Sequence, residues 1–234
     1  MEEKLLIEIK DLRKVYGSKV ALNHVDLKLH AGKIVGLLGP NASGKTTLIK
    51  ILNGLLHDYS GSVSIDGCPI GAHSKSIVSY LPDTTYLADW MKVKDAVDIF
   101  KGFYKDLDYP KLTNMLAMMK INMSDKIRTM SKGTKEKMQL ALVMSRKAQI
   151  YILDEPIGGV DPAARELILD TILENYQAGA LLIVSTHLIH DIERIFDEVV
   201  FLRDGEVALH QDVESIRNSD KTVESLFLEV FRGW

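Results

Sequence analysis

The stretch KIVGLLGPNASGKTTLIKILNGL, residues 33–55, limits what this chain can fold into more than any other. It opens with a nearly continuous apolar run, KIVGLLG (33–39), as expected of a strand buried on both faces. It closes with KTTLIKILNGL (45–55), where Leu48, Ile51, Leu52 and Leu55 recur at helical spacing and Gly54 lies near the end. Between them stands GPNASGKTT: Gly39, four residues, then Gly44, Lys45 and Thr46. In the order strand, glycine loop, helix, this pattern is a phosphate-binding loop. Glycine lets the backbone curl until its N–H groups point at β- and γ-phosphates. Lys45 adds a point charge, and Thr46 offers a hydroxyl to Mg²⁺. The candidate binding residues are Gly39, Pro40, Asn41, Ala42, Ser43, Gly44, Lys45, Thr46 and Thr47. The plainer reading, a glycine-rich turn before a helix, does not use the lysine and threonine.

A loop of this kind needs a sheet to hold it, and the rest of the chain supplies one. Residues 4–30 read as strands, LLIEI and then KVALNHVDLKL, the latter alternating apolar and polar with period two. GSVSIDG reads as a further strand between turns. The pattern then changes. VKDAVDIFKGFYKDL sets Val93, Val97, Phe100 and Tyr104 on one helical face, and YPKLTNMLAMMKI is a second amphipathic stretch. Strand patterns return at IYILDEP (150–156), ALLIVSTH (180–187) and EVVFLRDGEV (198–207), with helical segments between. Strands alternating with helices predict an α/β fold whose sheet is mostly parallel. The expected division is a β subdomain and core at about 1–90 and 150–234, with an inserted helical subdomain at about 91–149.

Carboxylates mark the next candidate site. IYILDEP ends a buried strand in Asp154 and Glu155, at the carboxyl end where open α/β sheets bind ligands. Asp154 is expected to hold Mg²⁺ through water, and Glu155 to orient or deprotonate an attacking water. His187 ends the strand LLIVSTH. It is either a switch residue for a γ-phosphate or a hydrogen-bonded histidine at a strand end. His187 and His190 are three apart, but no cysteine or third histidine stands at matching spacing, which argues against a metal pair. A second anion site is suggested at MSKGT (130–134). Ser131, Lys132, Gly133 and Thr134 precede a helical run, and a bare helix start attracts anions.

Bulk properties exclude several classes. With 46% apolar and 26% charged residues among 234, the chain can bury a real core. A net charge of −3 argues against nucleic acid as a partner. One cysteine, Cys68, leaves no internal disulfide framework and suits a reducing cytosol. The start MEEKLLIEIK is acidic where a secretory signal is basic. ALLIV (180–184), among the longest apolar runs, falls short of the roughly 18 residues of a membrane span. A membrane, if involved, is reached through a partner.

Taken together, these motifs resemble the ATP-binding subunit of ABC transporters, over nearly the whole chain. The resemblance implies a P-loop core with an N-terminal antiparallel β subdomain and an inserted α-helical subdomain. It implies that Tyr16, in KVYGSKVAL, stacks on adenine. It puts Asp83, in SYLPD, where the family carries a glutamine near Mg²⁺. It makes MSKGT the counterpart of the family's Leu-Ser-Gly-Gly-Gln signature, so Ser131, Lys132 and Gly133 would contact nucleotide held by a second protomer. Lys132, standing for a glycine, either adds charge there or points to solvent. GGVD (158–161) corresponds to the D-loop; Asp161 serves there in trans, or caps the next helix before Pro162, or both.

The function this implies is an ATPase that powers a separate integral membrane permease, with ATP and Mg²⁺ as cofactors. Its lysine-containing signature and its tail TVESLFLEVF are similar to bacterial exporter-type members. It would pair head to tail with itself or a homologous subunit, on the cytoplasmic face of the membrane. The rivals are a non-transport ATPase of the same architecture and a regulatory module that hydrolyses little. Glu155 argues against the latter.

Overall fold

The computed structural model describes residues 3–232. Two long strands, β1 (Leu5–Tyr16) and β2 (Lys19–His30), form an antiparallel hairpin closed at Gly17, whose φ is +58°. β3 (Ile34–Leu38) is buried at all five positions and feeds the glycine loop and α1 (Lys45–Leu52). β4 (Ser60–Ile65) and the short β5 (Cys68–Pro69) complete an antiparallel sheet of order β2-β1-β4-β5.

The central sheet has the order β10-β9-β3-β8-β7-β6. Its members arrive in the sequence α2 (Ala72–Ile77), β6 (Val78–Leu81), α3 (Val93–Phe103), α4 (Tyr109–Met118), α5 (Lys132–Met144), β7 (Ile150–Asp154), α6 (Pro162–Asn175), β8 (Leu181–Thr186), α7 (Ile189–Ile192), β9 (Glu198–Arg203), β10 (Glu206–Asp212), α8 (Val213–Arg217) and α9 (Val223–Val230). Every pair from β6 to β9 is parallel; only β10 runs antiparallel to β9. The fold is thus the expected P-loop α/β core with an antiparallel β sheet at its N-terminal end. One expectation needs correction. EVVFLRDGEV is a hairpin rather than one strand. Asp204 and Gly205 both adopt left-handed backbone (φ +51° and +80°), and that pair makes the tight turn that reverses the chain.

Alternation along the central strands divides the core in two. Val35, Leu37, Ile150, Ile152, Leu181, Ile183, Val200 and Leu202 face α1 and the antiparallel sheet. Tyr151, Leu153, Leu182, Val184, Val199 and Phe201 face a cluster shared with α3, α4, α5 and α6. The stripe on α3 behaves as core: Val93 and Val97 are buried, and Phe100 packs against the same cluster. At about 25 cal/mol per Å² of apolar surface removed from water, these two clusters are the main force holding the layers together. Their effect on function is positional. Both faces of β3 and β7 are covered, so the loops at the carboxyl ends of these strands emerge from a rigid base.

Candidate functional site

The glycine loop is shaped by what cannot fit there. A Cβ on Gly39 would lie 2.4 Å from Leu202 O and 2.6 Å from Ser43 Oγ. Gly44 has φ +110°, and a Cβ there would lie 2.7 Å from Ala21 O. The loop is also held from outside, because Gly205 in the β9–β10 turn donates its N–H to Ser43 O at 2.9 Å. Lys45, at the start of α1, is nearly fully buried. Its Nζ donates to Gly39 O (2.6 Å) and Pro40 O (3.0 Å). Burial pulls its pKa down, and the charges of Glu155 and Asp154 push it back up.

β7 delivers the carboxylates to the same place. Asp154 is buried; its Oδ1 accepts from Ser185 Oγ, and its Oδ2 has no partner. Burial raises its pKa, Ser185 opposes the rise, and the neighbouring charges of Asp83 and Glu155 add to it. Glu155 follows in the left-handed region, with φ +51°, its N–H donating to Ser185 O at 3.0 Å. That backbone is sparsely populated outside glycine, and such strain concentrates at functional sites. His187 Nδ1 lies 2.9 Å and 3.0 Å from the two Glu155 carboxylate oxygens. Tyr16, Asn41 to Thr47, Asp83, Asp154 and Glu155 all line one cleft of about 290 Å³. Residues from four separate parts of the chain therefore converge, and His187 joins them through Glu155. Gly39 and Pro40 stand behind the loop, receiving Lys45.

The family model for ABC transporters matches residues 22–158, more than half of the chain. This chain belongs to the ABC transporter family, as an ATP-binding subunit. It is 32% identical over 225 residues to an uncharacterized ABC transporter ATP-binding protein of Methanocaldococcus jannaschii, covering 94% of this chain and 82% of that one. It is likewise 32% identical over 235 residues to an uncharacterized ABC transporter ATP-binding protein of Bacillus subtilis, covering 96% and 74%. Among solved structures, an ATP-binding subunit of an ABC transporter superimposes with a TM-score of 0.87 at 27% identity, covering 97% of this chain and all of that one. A dimeric ATP-binding cassette bound to ADP and phosphate matches in fold, with a TM-score of 0.77 at 21% identity over 88% of this chain and 98% of that one. ABC ATP-binding subunits are ATPases, and this subunit is one of them.

In this ABC subunit the remaining candidates do not line that cleft, although Lys132 lines a neighbouring one with Asp83, Asp154, Glu155 and His187. Ser131 caps α5: its Oγ accepts from Thr134 N–H at 3.2 Å and pairs with Thr134 Oγ1 at 2.8 Å. Gly133 has open space around it. Lys132 Nζ sits 3.7 Å from Glu136 and 3.3 Å from where a Cβ on Gly159 would be. Its tip is therefore directed at segment 158–161 of the same protomer as well as at solvent. Asp161 precedes α6, and its carbonyl accepts from Arg165 N–H at 3.2 Å in the first turn.

Sequence reasoning missed three polar residues. Ser185, fully buried, fixes Asp154. Gln139 and Arg146, buried on or just past α5, bind the segment that carries Asp83. A serine two places before His187 in an otherwise apolar strand was a usable signal. Gln139 and Arg146 gave none, since their partners lie 53 and 70 residues away.

Proposed function

We propose that this ATPase subunit binds ATP with Mg²⁺ in the cleft beside Lys45 and drives export through a separate membrane-spanning partner. The observation that carries the reading is the meeting of Lys45, Asp154 and the Glu155–His187 pair around that cleft. Lys45 Nζ exchanges its loop carbonyls for phosphate oxygens, and its charge compensates them where water is displaced. The phosphate loop's N–H groups supply the rest of the cradle, and Tyr16, 45% exposed at the rim, offers a ring for the base.

A divalent cation fits the donors present. Asp154 Oδ2 is a buried carboxylate oxygen without a partner, and its neighbours Asp83 and Glu155 make its charge costly without a cation. Mg²⁺ prefers one or two carboxylates plus phosphate and water, so Thr46 and Asp154 would hold it. Among the described residues no three His, Cys, Asp or Glu side chains converge on one point. Asp83, whose charge acts on Asp154, would reach the ion directly or through its water shell. Held there, Mg²⁺ would supply positive charge to offset what builds on the phosphate oxygens. Glu155 orients or deprotonates the attacking water. Donating from Nδ1, His187 steadies the Glu155 carboxylate; only the doubly protonated ring could also donate from Nε2 to a γ-phosphate oxygen.

Ser131, Lys132, Gly133 and Asp161 serve a second protomer's nucleotide in this reading. A dimeric cassette of the same fold supports it, as does the fact that none of the four lines its own cleft. The division into a β subdomain with core (about 1–90 and 150–234) and a helical subdomain (about 91–149) belongs to the same reading. Among the described residues no helix is long and apolar enough to cross a membrane. A groove of about 930 Å³ runs beside the nucleotide cleft and shares Thr46 and Asp83 with it. Leu55 and Phe103 line it while exposed, Phe103 by 80%, which suits an apolar partner segment at the cytoplasmic membrane face. Export draws support from a Nod factor export ATP-binding protein of Burkholderia orbicola, 29% identical over 223 residues. The test is to purify the chain from its native membrane. A co-purifying polytopic protein that raises ATP hydrolysis supports the reading; a chain that comes away alone and fully active overturns it.

A further inference from the structure

Asp83 lies in a segment with few anchors of its own. It follows the four-residue strand β6 and Pro82 and precedes the loop that runs to α3. What holds this segment is α5. Ser79 Oγ donates to Val143 O at 2.9 Å, four residues before Asp83. Tyr86 N–H donates to Gln139 Oε1 at 3.2 Å, three residues after it. Further back, Arg146 donates to Ser76 O (2.8 Å) and Val78 O (2.5 Å), and is held in turn by Asp106 and the Tyr104 ring.

Gln139 stands out among these. It is 2% exposed, and its helix neighbours Met138, Leu140, Ala141 and Leu142 are buried and apolar. By periodicity and burial a leucine or methionine belongs there. A buried amide without a hydrogen bond is costly, so the glutamine is stable only because it has a partner. That partner, Tyr86 N–H, lies outside regular structure and takes no strand partner. The bond thus closes the loop after Asp83 onto a helix that is otherwise core.

We infer that Gln139 is a positioning residue: by holding Tyr86 N–H it fixes the 83–86 loop on α5 and keeps the Asp83 carboxylate facing Asp154 across the nucleotide cleft. This rests on the reading that Asp83 serves the Mg²⁺ shell. It goes further by naming the residue that sets Asp83's place. Since Ser131 caps α5, the helix that would meet the partner's nucleotide also positions the carboxylate at its own.

The test is a Mg²⁺ titration of ATP-loaded protein, read by calorimetry and by hydrolysis, for Gln139→Leu, Asp83→Ala and the double variant. Gln139→Leu is expected to raise the half-saturating Mg²⁺ concentration about tenfold, the low end of the effect of losing an outer-shell partner. Affinity for metal-free ATP should stay as in the parent. The double variant should be no worse than Asp83→Ala alone, because the two act in series. Amides 83–86 should exchange faster in Gln139→Leu, with β7 amides unchanged. Gln139→Met, of the same length but without the acceptor, gives a second variant should leucine disturb packing. If Asp83→Ala raises the Mg²⁺ requirement and neither Gln139 variant does, the inference is overturned alone. If the losses add, Gln139 acts elsewhere and the inference is likewise wrong. If Asp83→Ala leaves the titration unchanged, both the reading of Asp83 and the inference fall.

Discussion

His187 Nδ1 is bonded to both carboxylate oxygens of Glu155, at 2.9 and 3.0 Å. The histidine thereby holds the carboxylate rather than standing alone at a strand end. Replacing Glu155 by glutamine removes the base but leaves the ring's partner atom. Glu155→Gln is expected to bind ATP normally and to hydrolyse it about a hundredfold or more slowly, the usual contribution of a positioned base. Single-turnover phosphate release measures this. Hydrolysis at the parent rate would dismiss Glu155 from the chemistry.

Lys45 is the side-chain cation of the phosphate loop, and burial already disfavours its charge. Lys45→Ala should weaken MgATP binding about tenfold to a hundredfold, as expected for a hydrogen bond to a charged group. The melting curve without nucleotide should change little. Equal affinities by calorimetry would be incompatible with the phosphate-loop assignment.

Asp154 carries a stability penalty that can be read from pH. Its folded-state pKa is raised by burial, above the unfolded value, so the native chain takes up this proton first. The penalty is full above the folded pKa and vanishes below the unfolded one. Asp154→Asn should therefore melt higher than the parent at neutral pH, by about 2–4 °C for each 1 kcal/mol relieved in a chain of this size. The difference should shrink as pH falls, and Mg²⁺-dependent ATP binding should be lost. A variant that melts lower at pH 7 would show that the Ser185 bond outweighs the burial of charge.

Arg146 is 2% exposed, with Asp106 as its ion partner and two backbone carbonyls as acceptors. Truncating it leaves these groups unpaired. Arg146→Ala should lower stability by about 3–5 kcal/mol, the range for breaking a buried pair. Chemical denaturation measures this, and a loss below 1 kcal/mol would mean that water takes over the site.

The start of α5 is expected to act on the partner's nucleotide. Ser131→Arg should abolish hydrolysis while sparing ATP affinity in the monomer. Mixed with Lys45→Ala, it should regain part of the activity, because one composite site then carries both lesions and the other neither. A mixture that pairs yet stays inactive would leave Ser131 as a helix cap alone, unless the two sites work only together; crosslinking position 131 to the partner's ATP tells these apart.

What could be read from the sequence was local. The glycine loop announces itself because Gly39, Gly44, Lys45 and Thr46 are contiguous and flanked by two clear periodicities. The β9–β10 hairpin was missed because Asp204-Gly205 was read as part of one strand, although that dipeptide is a turn signal. Asp83 drew notice only through resemblance. Nothing in SYLPD says that strand β6 ends at the cleft. Gln139 and Arg146 were silent for the same reason, since each takes its meaning from a backbone far along the chain, whereas Ser185 at least stood out in a largely apolar strand.

β3 pairs with β8 on one side and β9 on the other, and Gly205 closes the phosphate loop from behind. On the ribosome, then, the strand at 34–38 waits for about 140 residues before either neighbour exists, about seven to thirty seconds at ordinary elongation rates. Nascent chains that stop short of β9 would carry the whole glycine motif and still bind no nucleotide, with an apolar strand left for chaperones to cover.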